Sequence, residues 1–165
     1  MFVGKRLLLR NWAAKDRICL DAILGDPEVM QFSDTGALGK PDQLAWLHNQ
    51  LSHVSSYGLP GNLAVELKET GHVIGYVSLS RDLARVSRQD AEIGIRLARS
   101  SWGHGYAAEA IRTLIDAVRP TDRIVAIVDP HNHRSLKLLR SVGLIYDSEI
   151  MFAGCDYADH LYTLG

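Results

Sequence analysis

Two glycines stand just before a stretch with helical periodicity, where they could help to hold an anionic group. Residues 98–108 read ARSSWGHGYAA, which places Gly103 and Gly105 in a loop that runs straight into a predicted helix. Glycine lets the backbone approach a ligand closely, and a helix N-terminus offers unpaired N–H groups at the positive end of its dipole. A pyrophosphate could therefore sit over residues 103–108 without any lysine. The alternative is that the glycines only shape a tight strand-to-helix connection.

The same glycines allow a second interpretation, as a dinucleotide fingerprint. Gly103, Gly105 and Ala108 match the spacing G-x-G-x-x-G/A, with Asp129 as the distant acid for a ribose. That fold needs its glycines at the very end of the first strand and further βαβ units behind them. Here five residues separate Leu97 from Gly103, and the chain ends in a predicted hairpin. The context therefore disfavours this interpretation.

Glu92 is a candidate for proton transfer. Strand alternation places Glu92 and Arg96 on one face of a predicted strand, and Ile93 and Ile95 on the other. A carboxylate in that position is half-buried, and partial burial raises its proton affinity towards the range that a general base needs. The alternative is a structural ion pair with Arg96 or another basic residue.

Three histidines invite comparison with a metal site. His131 and His133 are spaced i and i+2 on a loop, and His104 lies far from them in sequence. Because no cysteine or carboxylate partner accompanies them in a ligand spacing, the geometry is poor for a metal. We therefore expect no metal.

The whole chain, at 165 residues, is long enough for one domain with a sizeable core. Its 18 Lys and Arg against 19 Asp and Glu give a formal charge of -1. The net charge of the protein therefore gives no long-range attraction to nucleic acid or anionic lipid. Cys19 and Cys155 match no metal spacing and need form no disulfide, which favours a reducing cytoplasm. The N-terminal apolar run is broken by charge and falls short of a signal peptide or of the ~20 residues that span a membrane.

Hydrophobic periodicity and turn residues divide the chain into seven strands and four helices. The strands are predicted at residues 6–12, 62–67, 73–79, 91–97, 123–128, 144–152 and 157–164. The helices are predicted at residues 14–24, from Pro41 to a stop at residues 56–61, at 105–118 and at 134–141. Six apolar residues at helical spacing are expected to face the core: Ile18, Leu20, Ile23, Leu44, Leu47 and Leu51.

This order of elements predicts an α/β (α+β) fold, a single domain over residues 1–165. Helices should flank a mixed, mostly antiparallel central sheet that ends in a hairpin through Gly154. One parallel step joins the strands that end at Leu97 and Val128. We expect ligands at the splayed end of that parallel pair.

Several segments together resemble the GNAT superfamily of N-acetyltransferases, in the form found in the ribosomal-protein N-terminal (RimJ/RimL-type) subgroup. The sequence WGHGYAAEA is similar to the superfamily signature Arg/Gln-x-x-Gly-x-Gly/Ala, with Gly105 and Ala107 in the glycine slots. Further on, PHNHRS is similar to the family's Asn-x-x-Ser segment and LLRSVGL to its closing Gly-Phe. The early RLLLR and DPEVM also match, so the resemblance covers nearly the whole chain in order. The matching segments are residues 6–10, 26–30, 102–110, 130–135 and 138–144.

Three positions depart from the family pattern. Trp102 stands where the superfamily often has Arg or Gln, a change common in this subgroup, and Leu144 replaces the usual Phe. Leu139 stands where many members have a Tyr that reprotonates the thiolate. The acid for that step is therefore unidentified.

The resemblance implies acetyl-CoA as the co-substrate. Backbone groups near Ile95 and Leu97 would pair with the pantetheine arm, and the Leu97 N–H would face the thioester oxygen. Asn132 is similar to the family residue that bonds a pantetheine amide, although it could equally be a plain N-cap. The residues implied in cofactor binding are Ile95, Leu97, Trp102, Gly103, His104, Gly105, Tyr106, Ala107, Ala108, Asn132, Ser135 and Lys137.

Glu92 and Ser135 are the catalytic candidates that the resemblance supports. Glu92 lies about where some members carry their general base. Ser135 matches the subgroup's serine one turn beyond Asn132, and it is our candidate to meet the thiolate, with simple cofactor contact as the alternative. Arg134, Lys137 and Arg140 form a basic stripe, of which one or two could meet phosphate, although a solvated helix face is the default.

The function implied is transfer of an acetyl group from acetyl-CoA to a primary amine by direct attack in a ternary complex. The acceptor would be a protein N-terminus or a small-molecule amine, covered by the elements that carry Trp12, Trp46 and residues 32–34. Core packing explains the two tryptophans equally well. The alternative is a non-catalytic module that binds or senses acyl-CoA. We expect a cytoplasmic protein with no nucleic-acid or membrane partner, and the family suggests a homodimer through the C-terminal strands.

Overall fold

The strands and helices lie close to their predicted positions. The computed structural model describes residues 1–52, 57–82, 84–118 and 122–164. Within these ranges the chain forms eight strands: β1 Phe2–Val3, β2 Leu7–Arg10, β3 Gly61–Leu67, β4 Val73–Ser80, β5 Asp90–Leu97, β6 Arg123–Val128, β7 Leu144–Ile150 and β8 Asp159–Leu164. It also forms the α-helices α1 Leu20–Leu24, α2 Lys40–Leu51, α3 Tyr106–Val118 and α4 His133–Ser141, and short 3-10 helices at Ala14–Cys19 and Arg99–Ser101.

One sheet contains all of these strands, in the order β1-β2-β3-β4-β5-β6-β8-β7. Neighbouring strands are antiparallel except for β5 and β6, which are parallel. This confirms the predicted mixed, mostly antiparallel sheet with one parallel step. The dinucleotide interpretation is wrong, because that fold requires a mostly parallel sheet. The C-terminal hairpin forms as predicted, and its last strand, β8, inserts between β6 and β7.

Helices cover both faces of the sheet because successive side chains of a strand point to opposite faces. On β3, Leu63 and Val65 belong to a core that includes residues of α3 and α4, whereas Ala64 belongs to a second core with α1 and α2. Helix α3 presents Ile111 and Leu114, three residues apart, to the first core. No helix in the described parts of the chain has the length and apolar character needed to cross a membrane.

The first predicted helix is wrong in its N-terminal half. Residues 14–19 wind as a 3-10 helix, and only residues 20–24 form an α-helix. Leu20 and Ile23 are buried as expected, but Ile18 is 84% exposed. The tighter 3-10 winding has three residues per turn, so it moves Ile18 off the face that α1 presents to the sheet.

Helix α2 is rotated about its own axis, so the face that it buries is not the one that its leucines predict. Leu47 is buried, whereas Leu44 and Leu51 are exposed. The inward face instead carries residues 43, 46, 47 and 50, and the buried Gln43 donates a hydrogen bond to the carbonyl of Leu38 at 2.8 Å. This polar anchor sets the rotation of the helix. Residue 56, where the predicted stop of this helix begins, lies outside the described residues.

The strand ends account for the remaining differences. The first predicted strand, residues 6–12, is confined to β2, and the two-residue β1 pairs with it through Phe2 and Leu9. A strand of two residues is too short to produce an alternating hydrophobic pattern in the sequence. Strands β7 and β8 each lose about two predicted residues to the turn around Gly154, which has a φ of 84°.

The paired end of the parallel strands is closed by an ion pair. Arg123, at the start of β6, donates from Nε and Nη2 to the carboxylate of Asp90, at the start of β5, over 2.8 and 3.2 Å. The Asp90 side chain is buried, whereas Arg123 is half-exposed. The hydrogen bonds from Arg123 hold the pKa of Asp90 below its ordinary value. This pair fixes the point from which the two strands diverge.

We predict that Arg123→Ala lowers the free energy of unfolding by about 1–3 kcal/mol, because the buried carboxylate loses its partner and solvent compensates only in part. Urea unfolding measures the change, with Arg88→Ala, an exposed arginine of the preceding loop, as the control. Because the pKa of Asp90 is depressed, the difference in unfolding free energy between wild type and variant should be fully present above the ordinary aspartate pKa of about 4. It should shrink as the pH falls below that value. Equal stability of wild type and variant at neutral pH would show that the pair contributes nothing.

Candidate functional site

Strands β5 and β6 part after three paired positions, so the predicted splay is present. Residues 90–92 pair with residues 123–125, whereas β5 continues along β4 to its end. The N–H of Ala98 bonds to a carbonyl of β4 at 2.8 Å. Because backbone N–H groups alternate in direction along a strand, those of Leu97 and Ile95 point into the gap beside β6.

A cavity of about 1160 Å³ runs along this gap. At one end it meets the loop after β5 and the N-terminal turns of α3 and α4, and at the other it meets the sheet face beneath α2. The cavity brings together nearly all of the predicted site residues: Glu92, Ile95, Leu97, Trp102, Gly103, Gly105, Tyr106, Ala107, Ala108, Asn132, Ser135 and Lys137. His104 does not line it. The ring of His104 stacks on Tyr106, with the ring centroids 5.5 Å apart.

The loop before α3 has the geometry of an anion-binding turn. Gly103 and Gly105 have φ values of 79° and 78°, in the left-handed region that favours glycine. The carbonyl of Gly105 accepts a hydrogen bond from the N–H of Glu109 at 3.1 Å, so the helix begins here and its first N–H groups have no partner within it. The indole Nε1 of Trp102 donates to the carbonyl of Leu97 at 2.9 Å, which ties the loop to the end of β5. We call residues 102–108 the anion-binding turn.

The N-terminus of α4 forms the opposite wall of this end. The side-chain oxygen of Asn132 accepts a hydrogen bond from the N–H of Ser135 at 3.1 Å, which confirms that Asn132 is an N-cap. Asn132 also lines the cavity, so its contact with a pantetheine arm stays a prediction.

Two of the three residues in the basic stripe of α4 line the cavity, and the third makes a hydrogen bond elsewhere. Arg134 and Lys137 line the cavity, and the Arg134 guanidinium lies 3.6 Å from the ring centroid of Trp102. Arg140 instead donates to the hydroxyl of Tyr162 at 3.2 Å. Two cations therefore remain beside the anion-binding turn.

Glu92 lies on the part of the cavity away from the anion-binding turn, with its side chain 19% exposed. Its carboxylate accepts hydrogen bonds from Nε and Nη2 of Arg85 at 3.3 and 3.4 Å. Burial raises the pKa of Glu92, and the charge of Arg85 offsets this rise only in part. The expected ion pair with a basic residue is present, and its partner is Arg85. Arg96 instead donates to the hydroxyl of Tyr76 at 2.9 Å.

The carboxylates of Glu92, Asp34 and Asp159 lie around Arg85, and that of Asp129 lies beside Asp159; we call these four groups the acidic wall. Glu92 and Asp34 contact the Arg85 guanidinium directly, Asp34 at 3.5 Å. Burial raises the pKa of Asp159, and the neighbouring charge of Asp129 raises it further. Because these four acids outnumber the two arginines that line this part of the cavity, Arg85 and Arg96, this end of the cavity carries a net negative charge that favours a cation.

An aromatic cluster forms part of the cavity lining where the sheet lies beneath α2. The rings of Trp46 and Tyr76 both line the cavity, with centroids 5.3 Å apart. Trp12, which we expected to cover the acceptor, packs behind Trp46 at 5.0 Å and does not line the cavity. Residues 32–34 do line it, as expected.

His131, in the loop before α4, is engaged in a side-chain network. The carboxylate of Asp129 accepts a hydrogen bond from the hydroxyl of Tyr157 at 2.6 Å, and Nδ1 of His131 lies 3.0 Å from the same carboxylate. Among the described residues, no group of three or more His, Cys, Asp or Glu side chains could hold a metal ion.

Sequence reasoning missed Arg85 and Tyr76. Arg85 lies in the β4–β5 loop, where no periodicity indicates which side chain turns inward. Tyr76 could have been found, because β4 pairs with β5 in a register that sets Tyr76 opposite Arg96, on the same face as Glu92.

Comparisons with known proteins agree with this geometry. The family model described as an acetyltransferase (GNAT) domain matches residues 6–145. A protein of Bacillus licheniformis named "Uncharacterized N-acetyltransferase p20" is 33% identical over 153 residues, covering 88% of this chain and 85% of the relative.

Two solved structures share the fold. A GNAT-family acetyltransferase from Bacillus anthracis has a TM-score of 0.83 at 19% identity, covering 99% of this chain and 96% of its own. A spermidine N-acetyltransferase from Vibrio cholerae, solved with CoA and spermine, has a TM-score of 0.73 at 20% identity, covering 97% and 95%. With the family model over most of the chain and the splayed parallel pair in its sheet, the chain belongs to the GNAT acetyltransferase family.

Proposed function

We propose that the protein is an N-acetyltransferase that moves an acetyl group from acetyl-CoA to a primary amine, by direct attack in a ternary complex. The observation that carries the proposal is a single cavity along the splayed strands, with the anion-binding turn at one end and the half-buried carboxylate of Glu92 at the other. The first feature suits a phosphate-bearing donor and the second suits an amine that must lose a proton. We further propose that residues 1–165 form one domain of this kind.

The residues at the anion-binding turn fit acetyl-CoA. The N–H groups at the start of α3 would bind its diphosphate, with Lys137 and Arg134 as nearby cations. Asn132 and the backbone of Leu97 would bond the pantetheine amides. When bound, acetyl-CoA would supply an acetyl group activated as a thioester.

The spacing along β5 favours one backbone N–H as the donor for the thioester oxygen. At about 3.3 Å per residue, the Cα of Glu92 lies about 10 Å from that of Ile95 but about 17 Å from that of Leu97. The N–H of Ile95 is therefore nearer than that of Leu97 to an acetyl group that an amine near Glu92 could attack. We assign this donor to Ile95, and the Leu97 N–H to the pantetheine arm.

At the acceptor end, Glu92 would accept the proton of the bound ammonium group, directly or through a water molecule. Its raised pKa suits that role, because a base of higher proton affinity is more effective near neutral pH. Ser135, one turn into α4, is the proposed hydroxyl near the departing thiolate. Its position on the cavity supports either this role or simple cofactor contact.

The acidic wall, and the rings of Trp46 and Tyr76 that line the same cavity, support a cationic amine as acceptor. The spermidine N-acetyltransferase with the same fold acts on such an amine. The early and late sequence motifs support the ribosomal-protein N-terminal acetyltransferase subgroup, for which a peptide N-terminus is the acceptor. Cytoplasmic location and a homodimer through the C-terminal strands remain proposals that the family supports.

A non-catalytic acyl-CoA-binding module is the second candidate. The hydrogen bonds from Arg85 to Glu92 favour it, because a paired carboxylate is a weaker base. Leu139 at the usual tyrosine position also favours it.

The test begins with titration calorimetry of acetyl-CoA, for which we expect micromolar binding. Thiol release from acetyl-CoA is then measured with four amines: a short peptide with a free N-terminus, spermine, lysine and an aminoglycoside. Release with at least one amine, with the acetylated product seen by mass spectrometry, is the expected result. Binding without release would favour the non-catalytic module, and no binding at all would refute the proposal.

A further inference from the structure

We propose that Arg6 is a positioning residue for the anion-binding turn. It fixes the peptide between His104 and Gly105 so that the N–H of Gly105 faces the cavity. The inference rests on the proposed function, because it assigns Arg6 to the place where the phosphates of the donor would bind.

Arg6 contacts the turn on both sides of Gly105. Its Nη1 donates to the carbonyl of His104 at 3.0 Å. Its Nε and its backbone N–H donate to the two carboxylate oxygens of Glu109 at 2.7 and 2.6 Å. The guanidinium also lies over the ring of Tyr106, 4.5 Å from the centroid. One side chain therefore holds both the residue before Gly105 and the first turn of α3.

These contacts determine which way the Gly105 N–H points. No described peptide bond is cis, and in a planar trans peptide the carbonyl oxygen and the amide hydrogen point in opposite directions. With the His104 oxygen held by Arg6, the Gly105 N–H must point away from Arg6. Gly105 lines the cavity, whereas Arg6 and His104 do not, so pointing away from Arg6 means pointing towards the cavity.

Arg6 also removes an electrostatic obstacle. Glu109 lies in the first turn of α3, and an unpaired carboxylate there would repel a phosphate at the helix N-terminus. Burial alone would raise the pKa of Glu109, but the hydrogen bonds from Arg6 outweigh it and hold that pKa below its ordinary value. Glu109 is therefore ionised and neutralised by Arg6, which leaves the helix dipole free to attract an anion.

The experiment is titration of coenzyme A into the full chain by calorimetry. Arg6→Ala should weaken binding about ten-fold or more, because a charge-assisted hydrogen bond that orders the turn is lost. Arg6→Lys should fall between Arg6→Ala and wild type, since one ammonium group cannot serve both the His104 carbonyl and Glu109. Lys5→Ala is the matched control, because it removes the same charge from the adjacent exposed residue.

Two further readouts separate positioning from general stability. Arg6→Ala should raise KM for acetyl-CoA while kcat stays within about two-fold of wild type. This split is expected when the lost contacts stabilise the bound ground state and the transition state equally. The Gly105 amide resonance should shift when coenzyme A is added to the wild type, and this shift should be reduced in Arg6→Lys. Urea unfolding of each variant establishes that binding is measured on folded protein.

The outcomes distinguish this inference from the proposed function. If the wild type binds coenzyme A and Arg6→Ala binds it equally well, the role of Arg6 is refuted and the proposed function stands. If the wild type fails to bind, both are refuted. If Arg6→Ala does not fold, Arg6→Lys and Glu109→Gln decide, since wild-type affinity in both of these would refute the role.

Discussion

Replacing Glu92 by glutamine should lower kcat/KM by roughly 10²- to 10⁴-fold, the usual contribution of a general base. Glutamine keeps the size of the side chain and can still bond Arg85, but it cannot accept the proton of the ammonium group. Initial rates of thiol release with the best amine of the panel measure the loss. Coenzyme A affinity should change little, because the turn that binds its phosphates lies at the other end of the cavity.

The pH dependence gives an independent check on Glu92. Because burial raises the pKa of Glu92, wild-type kcat should fall on the acid side with a midpoint above the ordinary value for a glutamic acid. Below that midpoint Glu92 is protonated and cannot act as a base, so the variant should lack this limb. Glu69→Gln, at an exposed turn, is the control. A kcat near that of wild type in Glu92→Gln would exclude Glu92 as the base.

Replacing Gly105 by valine should weaken coenzyme A binding about a hundred-fold, through backbone strain and the loss of charge-assisted bonds to phosphate. A β-branched residue strongly disfavours the φ of 78° at this position. Of the described atoms outside the neighbouring residues, a Cβ there would meet only the Nη2 of Arg6, at 3.6 Å, so the dihedral angle rather than crowding is the obstacle. Calorimetry with the folded variant measures the effect.

Gly71→Val is the matched control for Gly105→Val. Gly71 has a φ of 70° and lies in the β3–β4 turn away from the cavity, and a Cβ at this position would meet no atom of the described residues within 4 Å. Both variants should lose similar stability to urea, but only Gly105→Val should lose coenzyme A. Equal binding by the two variants would mean that the turn does not hold the phosphates.

The sequence allowed accurate prediction wherever a local pattern is sufficient. The glycines before α3 and the alternation along β5 are local signals, and both led to residues that line the cavity. Glu92 was also placed correctly as a half-buried carboxylate, because a period of two fixes the face on which it lies.

Features set by distant contacts could not be predicted in this way. Arg6 and Glu109 are 103 residues apart, and nothing in their separate surroundings indicates that they pair. The roll of α2 depends on Gln43 and the Leu38 carbonyl, which leucine spacing does not show.

The insertion of β8 between β6 and β7 has a consequence for synthesis on the ribosome. β6 carries one side of the splay, yet its antiparallel neighbour, Asp159–Leu164, is translated only after α4 and β7 have followed β6. Until that segment emerges, the nascent chain exposes an open β6 edge, which is prone to pair with other chains. The donor half of the cavity can therefore be completed only once β8, the last strand of the sheet in chain order, has been translated.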